Sequence, residues 1–101
     1  MTKRLPPMHP GEVLREEFLK PMALSPYAVA KACNLPRTRI ERIAREEMGI
    51  TADTALRLAK YFGTTAAFWL NLQSRYDLLV AEAAADDIDD IKPVIHVARA
   101  A

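Results

Sequence analysis

S-P-Y-A-V-A-K-A-C-N-L-P-R-T-R-I-E-R-I-A, from Ser25 to Ala44, is the stretch that decides the fold. It reads as a short helix, a tight turn and a second helix carrying arginines. Ser25 is a hydroxyl cap, and Pro26 follows where a first helical turn needs no amide donor. Ala30 supplies the small side chain that two closely crossing helices require. Asn34 stands where the turn needs positive φ, which asparagine tolerates best after glycine. Ile40 and Ile43, at i and i+3, give the second helix an inner face, with Val29 and Leu35 completing the apolar contacts. Together these positions specify a helix-turn-helix.

With Ile40 and Ile43 inward, Thr38, Arg42 and Arg45 turn outward, and Arg37 and Arg39 flank the helix start. In this motif that end enters the major groove. Arginine can bond guanine through two donors at once, and threonine can bond a base edge or touch a thymine methyl. Ser25 and the amides near it suit a phosphate, and Lys31 a backbone contact. The DNA-binding set is therefore Arg37, Thr38, Arg39, Arg42, Ser25, Lys31 and Arg45. The plain alternative is a solvated helix, because Glu41 lies four residues from both Arg37 and Arg45, a spacing that forms surface ion pairs.

The rest of the 101 residues fits one all-α domain. Glycines stand only at 11, 49 and 63, and Ala, Leu, Arg and Glu fill the segments between them. A first helix is expected from about Pro10 to Lys20, with Val13, Leu14 and Phe18 inward and Pro21 ending it. The second and third run to about Cys33 and Arg45. Thr51 caps a fourth, whose stripe is Ala55, Leu56, Leu58, Ala59 and Phe62 and whose stop is Gly63. Thr65 caps a fifth that reaches about Ala84. Residues 1–9 read as a flexible arm, 10–84 as the domain, and 85–101 as an acidic then extended tail. Phe68, Trp69, Leu72 and Tyr76 exceed what so small a core needs, so they read as a dimer interface; for Trp69 a core position is the alternative.

A net charge of +1 excludes bulk attraction to polyanions; DNA affinity must come from placement. Arg37–Arg45 holds four arginines, whereas Asp86, Asp87, Asp89 and Asp90 form an acidic cluster. No apolar stretch is long enough to span a membrane and no leader pattern is present, so the expected compartment is the cytoplasm. Cys33, the lone cysteine, reads as a small buried apolar side chain. His9 and His96 are isolated, and no metal-ligand spacing, catalytic constellation or phosphate loop is evident. No cofactor is expected, and an enzyme is the least fitting class.

Two flanking motifs are more specific. M-H-P-G-E-V-L-R-E-E-F-L-K-P-M (8–22) and G-I-T-A-D-T-A-L-R-L-A-K-Y-F-G-T-T-A-A-F-W-L-N-L-Q-S-R-Y-D-L (49–78) resemble the HigA-type antitoxins, also called virulence-associated protein I, in the Xre-like helix-turn-helix group. The resemblance covers about 5–82. It implies a five-helix, lambda-repressor-like fold, a dimer formed partly by the last helix, and repression of the protein's own operon on a palindromic operator. It also implies neutralisation of a cognate HigB-type toxin that cleaves mRNA on the ribosome. Base contacts from the early recognition helix map onto Arg37, Thr38, Arg39 and Arg42. One departure is visible: Arg45-Glu46-Glu47-Met48-Gly49 replaces a basic turn of the N-G-K-R kind. Either this weakens phosphate contacts from the turn, or the glutamates pair with nearby arginines. The competing functions are a helix-turn-helix regulator without a toxin, and a protein-interaction module that does not bind DNA.

Overall fold

Hydroxyl groups start three of the helices in the computed structural model, which describes residues 6–94. Ser25 Oγ accepts from the Ala28 amide, Thr51 Oγ1 from Thr54 and Thr65 Oγ1 from Phe68, at 3.0–3.3 Å. Each satisfies an amide that the helix itself leaves unpaired. The helices that follow are α2 (Pro26–Ala32), α4 (Ala52–Phe62) and α5 (Ala66–Ala84), with α3 (Arg37–Ala44) behind Pro36. Before them comes α1 (Pro10–Val13), which continues without a break as a π-helical segment, Leu14–Leu19. Among the described residues there are thus five helices and no strand.

The π segment corrects the expected inner face of the first helix. The Lys20 amide bonds to the Arg15 carbonyl five residues back. This wider turn brings Leu14 and Leu19 to the same side, and both are buried, whereas Val13 and Phe18 are only half-buried. The first helix starts where expected, at Pro10, but its cap is His9. Its Nδ1 accepts from the Gly11 amide at 2.9 Å, and its ring meets the edge of Tyr76 at 4.8 Å. His9 is buried. The loose arm assigned to 1–9 therefore stops short of His9; residues 1–5 lie outside the described residues.

Four connections close alike. After the first helix, α2, α3 and α4, the chain takes positive φ at Ala23, Asn34, Glu46 and Gly63. The next amide then reaches back five residues, as from Leu24 to Leu19 and from Leu35 to Ala30. This is the Schellman closure of a helix end. Asn34 takes the role its residue type predicted.

The core is Leu14, Leu19, Val29, Ala30, Cys33, Ile40, Ile43, Ala44, Ile50, Ala55, Leu58, Ala59 and Trp69. Ala30 lies fully buried where α2 packs on α3, so nothing larger fits there. Leu56 departs from the expected stripe of α4: it is 63% exposed, one residue, or 100°, off the buried face. Beyond α5 the tail is not wholly extended. Ile88–Asp90 forms a single 3-10 turn with its aspartates in solvent. His96 and the remainder of the expected extended segment, from Ile95, lie outside the described residues.

Candidate nucleic-acid interface

The helix-turn-helix of α2 and α3 is held by two arginines from outside it. At the end of α2, Arg57 of α4 donates to the Cys33 carbonyl at 3.1 Å, and Asp53 orients it at 3.0 Å. At the end of α3, Arg15 donates to the Ala44 carbonyl and pairs with Glu46 at 3.1 Å. Both close helix C-termini, where carbonyls lack intrahelical partners and a positive charge is favoured. The bond from Glu16 raises the guanidinium pKa of Arg15 most; burial opposes this, and the Glu46 bond adds to it. Neither Arg15 nor Arg57 is distinguishable in the sequence from a surface arginine. Their partners are main-chain atoms 29 and 24 residues away.

Gly11 explains how closely the first helix approaches. A Cβ there would run into the Ile43 carbonyl at the end of α3. The recognition helix is thus set directly against the first helix, with no side chain between them at that point.

The residues expected to meet DNA divide by what holds them. Arg37, Thr38 and Arg42 are exposed on α3. Arg37 places Cζ 5.1 Å from the centroid of the Tyr27 ring on α2. Arg39 is half-buried, and its Nη1 donates to Thr54 Oγ1 at 3.2 Å. Arg45 is exposed but pairs with Glu41 at 3.2 Å. The surface ion pair anticipated for this helix thus forms, with Arg45 and not with Arg37. Ser25 is exposed at the start of α2, its oxygen occupied as a cap acceptor. Lys31 is exposed in the last turn of α2. Of the two glutamates that replace the basic turn, Glu46 is neutralised by Arg15. Among the described residues Glu47 makes no ion pair.

Cys33 is buried, as its type suggested. Burial pushes its thiol pKa up, only partly countered by Arg57. Among the described residues no cluster of three or more His, Cys, Asp or Glu could hold a metal ion.

The set read as a dimer interface does not stay together. Trp69 is fully buried, and its Nε1 donates to Thr64 Oγ1 at 2.8 Å. It packs against Phe18, Phe62 and Phe68 of its own chain, so it has no surface to offer a second copy. Its place is the core. Phe68 is exposed, Leu72 and Tyr76 are half-buried, and farther along α5 Leu78 and Val80 are exposed without having been singled out by sequence.

Comparison with known proteins matches residues 16–69 to the helix-turn-helix family model. Virulence-associated protein I of Dichelobacter nodosus is 55% identical over 95 residues, covering 94% of this chain and 88% of the relative. The chain belongs to this helix-turn-helix family. The Pseudomonas aeruginosa antitoxin HigA, solved with the higBA promoter, superimposes with a TM-score of 0.84. It is 46% identical, with 88% of this chain and 99% of that one covered. Antitoxin GraA in complex with its operator gives 0.85 at 41% identity, covering 95% and 99%. The expected five-helix, helix-turn-helix architecture is the one this chain adopts, and the expected likeness to HigA-type antitoxins is found. The family is one of DNA-binding regulators. Among the described residues no helix is long and apolar enough to cross a membrane.

Proposed function

We propose that this chain is the antitoxin of a toxin–antitoxin pair and represses its own operon by reading a palindromic operator as a homodimer. The observation that carries the DNA reading is the exposed row Arg37, Thr38 and Arg42 on a helix clamped at its end by Arg15. Donors held on a rigid element lose little freedom on binding. Relatives solved on a promoter and on an operator support the same reading. Arg37, Thr38 and Arg42 would meet bases, Arg39 would work from the flank, and Ser25, Lys31 and Arg45 would meet phosphates. The acidic turn at Glu46 carries no net repulsion of its own, because Arg15 offsets it; Glu47 remains as the weakening charge.

One recognition helix covers only a few base pairs, and two copies about 34 Å apart match one turn of DNA. Phe68, Leu72 and Tyr76, extended by Leu78 and Val80, are the surface we assign to that pairing. The partner toxin would be a cognate HigB-type mRNA-cleaving protein, and the compartment the cytoplasm.

Co-expression with the neighbouring small reading frame tests the antitoxin role: rescued growth and co-purification are expected. Neither rescue nor co-purification would leave a helix-turn-helix regulator without a toxin partner. A gel shift on the upstream DNA tests the DNA reading. Light scattering that gives a monomer at micromolar concentration, with and without that DNA, would overturn the dimer.

A further inference from the structure

The four arginines of the 37–45 segment have heads in different chemical states. Arg45 shares its donors with Glu41, and Arg39 gives one to Thr54. Arg37 instead lies over the face of the Tyr27 ring, 5.1 Å from its centroid. Among the described residues Arg37 makes no ion pair and no side-chain hydrogen bond. The two kinds of restraint differ in consequence. A carboxylate occupies N–H donors, whereas a ring attracts the cation through its π face and leaves the N–H edge available. Bidentate reading of guanine needs two free donors held in a fixed plane.

Tyr27 is well placed to impose that restraint. It is the second residue of α2, directly after Pro26, whose ring fixes φ, and inside the turn closed by the Ser25 cap. Its backbone is therefore among the stiffer parts of the helix-turn-helix. It is also 52% exposed, so the core does not require it. An exposed aromatic residue on a rigid turn, beneath an arginine at the start of α3, serves the arginine.

We propose that Tyr27 is a positioning residue for DNA recognition: its ring holds Arg37 in a base-reading orientation without consuming the donors that read the base. The inference rests on the DNA reading given above and adds a residue that touches no base itself.

The test is a double-mutant cycle on the full chain. It uses the DNA upstream of the protein's own reading frame, a set of single-base variants of it, and a random-sequence duplex. Tyr27→Ala should weaken binding to the upstream DNA about two- to fivefold, as expected for an exposed cation–π contact. Binding to the random duplex should be unchanged. The base pair at which discrimination falls should be the one that Arg37→Ala flattens. Tyr27→Phe keeps the ring and should bind like the parent. Tyr27→Leu keeps bulk, guards against a packing loss and should behave like Tyr27→Ala. In an Arg37→Ala background, Tyr27→Ala should cost nothing more.

Additive losses in the double variant would overturn the inference, as would Tyr27→Phe binding as weakly as Tyr27→Ala. So would equal weakening on the random duplex, which would make Tyr27 a backbone contact. A parent chain that fails to bind the upstream DNA would overturn the DNA reading itself. That result is distinct from a parent that binds, with Arg37→Ala weakened and Tyr27→Ala unaffected, which would overturn the positioning role alone.

Discussion

Arg57 Nη1 lies 3.1 Å from the main-chain carbonyl of Cys33, and this bond ties α4 to the end of α2. The turn of the helix-turn-helix is therefore closed from two sides. Asn34 closes it locally through positive φ, and Arg57 closes it from a helix that begins beyond the recognition helix. The Asp53 carboxylate, four residues back on α4, steers the guanidinium.

Replacing Arg57 by alanine should cost about 1–2 kcal/mol, the worth of a charge-assisted bond to a carbonyl that loses its partner. Urea unfolding should record this as a lower midpoint with an unchanged slope. Arg57→Lys should recover only part of it, since a single ammonium cannot meet both Asp53 and Cys33 in the same geometry. Loss no greater than a few tenths of a kcal/mol would mean that water replaces the guanidinium freely.

Gly11→Ala should be far more damaging. The added Cβ would collide with the Ile43 carbonyl, a main-chain atom that cannot swing aside. Moving it means separating the first helix from α3. We expect a loss of about 3 kcal/mol or more, or no folded protein, in the same urea experiment. A fully stable Gly11→Ala variant would show that the first helix can shift without cost.

The three non-glycine residues at positive φ divide by how legible they were. Asn34 was readable, because its residue type and its place between two apolar patterns both demand a turn. Ala23 and Glu46 were not. Alanine is a helix former, and nothing in its type announces φ of 53°. It adopts that angle because Pro21 ends the helix and the chain must double back onto Leu19. Glu46 is held by Arg15, 31 residues away. Helix number and starts were legible from the hydroxyl caps Ser25, Thr51 and Thr65 and from Pro10 and Pro36, and so was the outward row of α3. The π turn, the Trp69 core position, the exposure of Leu56 and the Tyr27–Arg37 contact depend on which helices become neighbours, which periodicity does not encode.

Ala23→Gly follows from that contrast. Left-handed backbone costs alanine about 1–2 kcal/mol, and glycine nothing comparable, while glycine's greater freedom in the unfolded chain returns about 0.5–1 kcal/mol. Ala23 is exposed, so no packing is lost. A net gain of up to about 1 kcal/mol should appear as a raised thermal midpoint. A lowered midpoint would mean that the alanine methyl is doing useful packing or that the unfolded-state cost dominates.

His9 makes stability depend on pH. Burial lowers its pKa below the ordinary 6.5, outweighing the opposite pull of Glu46 and Asp77, with Arg15 lowering it further. Its Nδ1 must also stay unprotonated to accept from Gly11. As pH falls through about 6.5, the unfolded chain takes up this proton before the folded chain does. The His9 contribution is therefore complete above pH 6.5 and is lost as pH falls through the lower, folded pKa. His9→Asn, which can still cap the helix, should show a smaller drop in urea midpoint between pH 7.5 and pH 5.5 than the parent. Equal drops in the two proteins would assign the acid sensitivity to the carboxylates.

The arginines of α3 should separate in a binding assay according to how each is held. Arg42 is exposed and, among the described residues, without an ion pair, so Arg42→Ala should cost about 1–3 kcal/mol of discrimination at one base pair. Arg45 already shares its charge with Glu41. Its replacement should lower affinity on any sequence and reduce the salt slope by about one, without changing base preference. Arg39→Ala should lower stability as well, because the fully buried Thr54 would lose one of its two donors and keep only the Thr51 hydroxyl. If Arg45→Ala, not Arg42→Ala, altered base preference, the outward row would have been read one turn too early and the groove would lie nearer the end of α3.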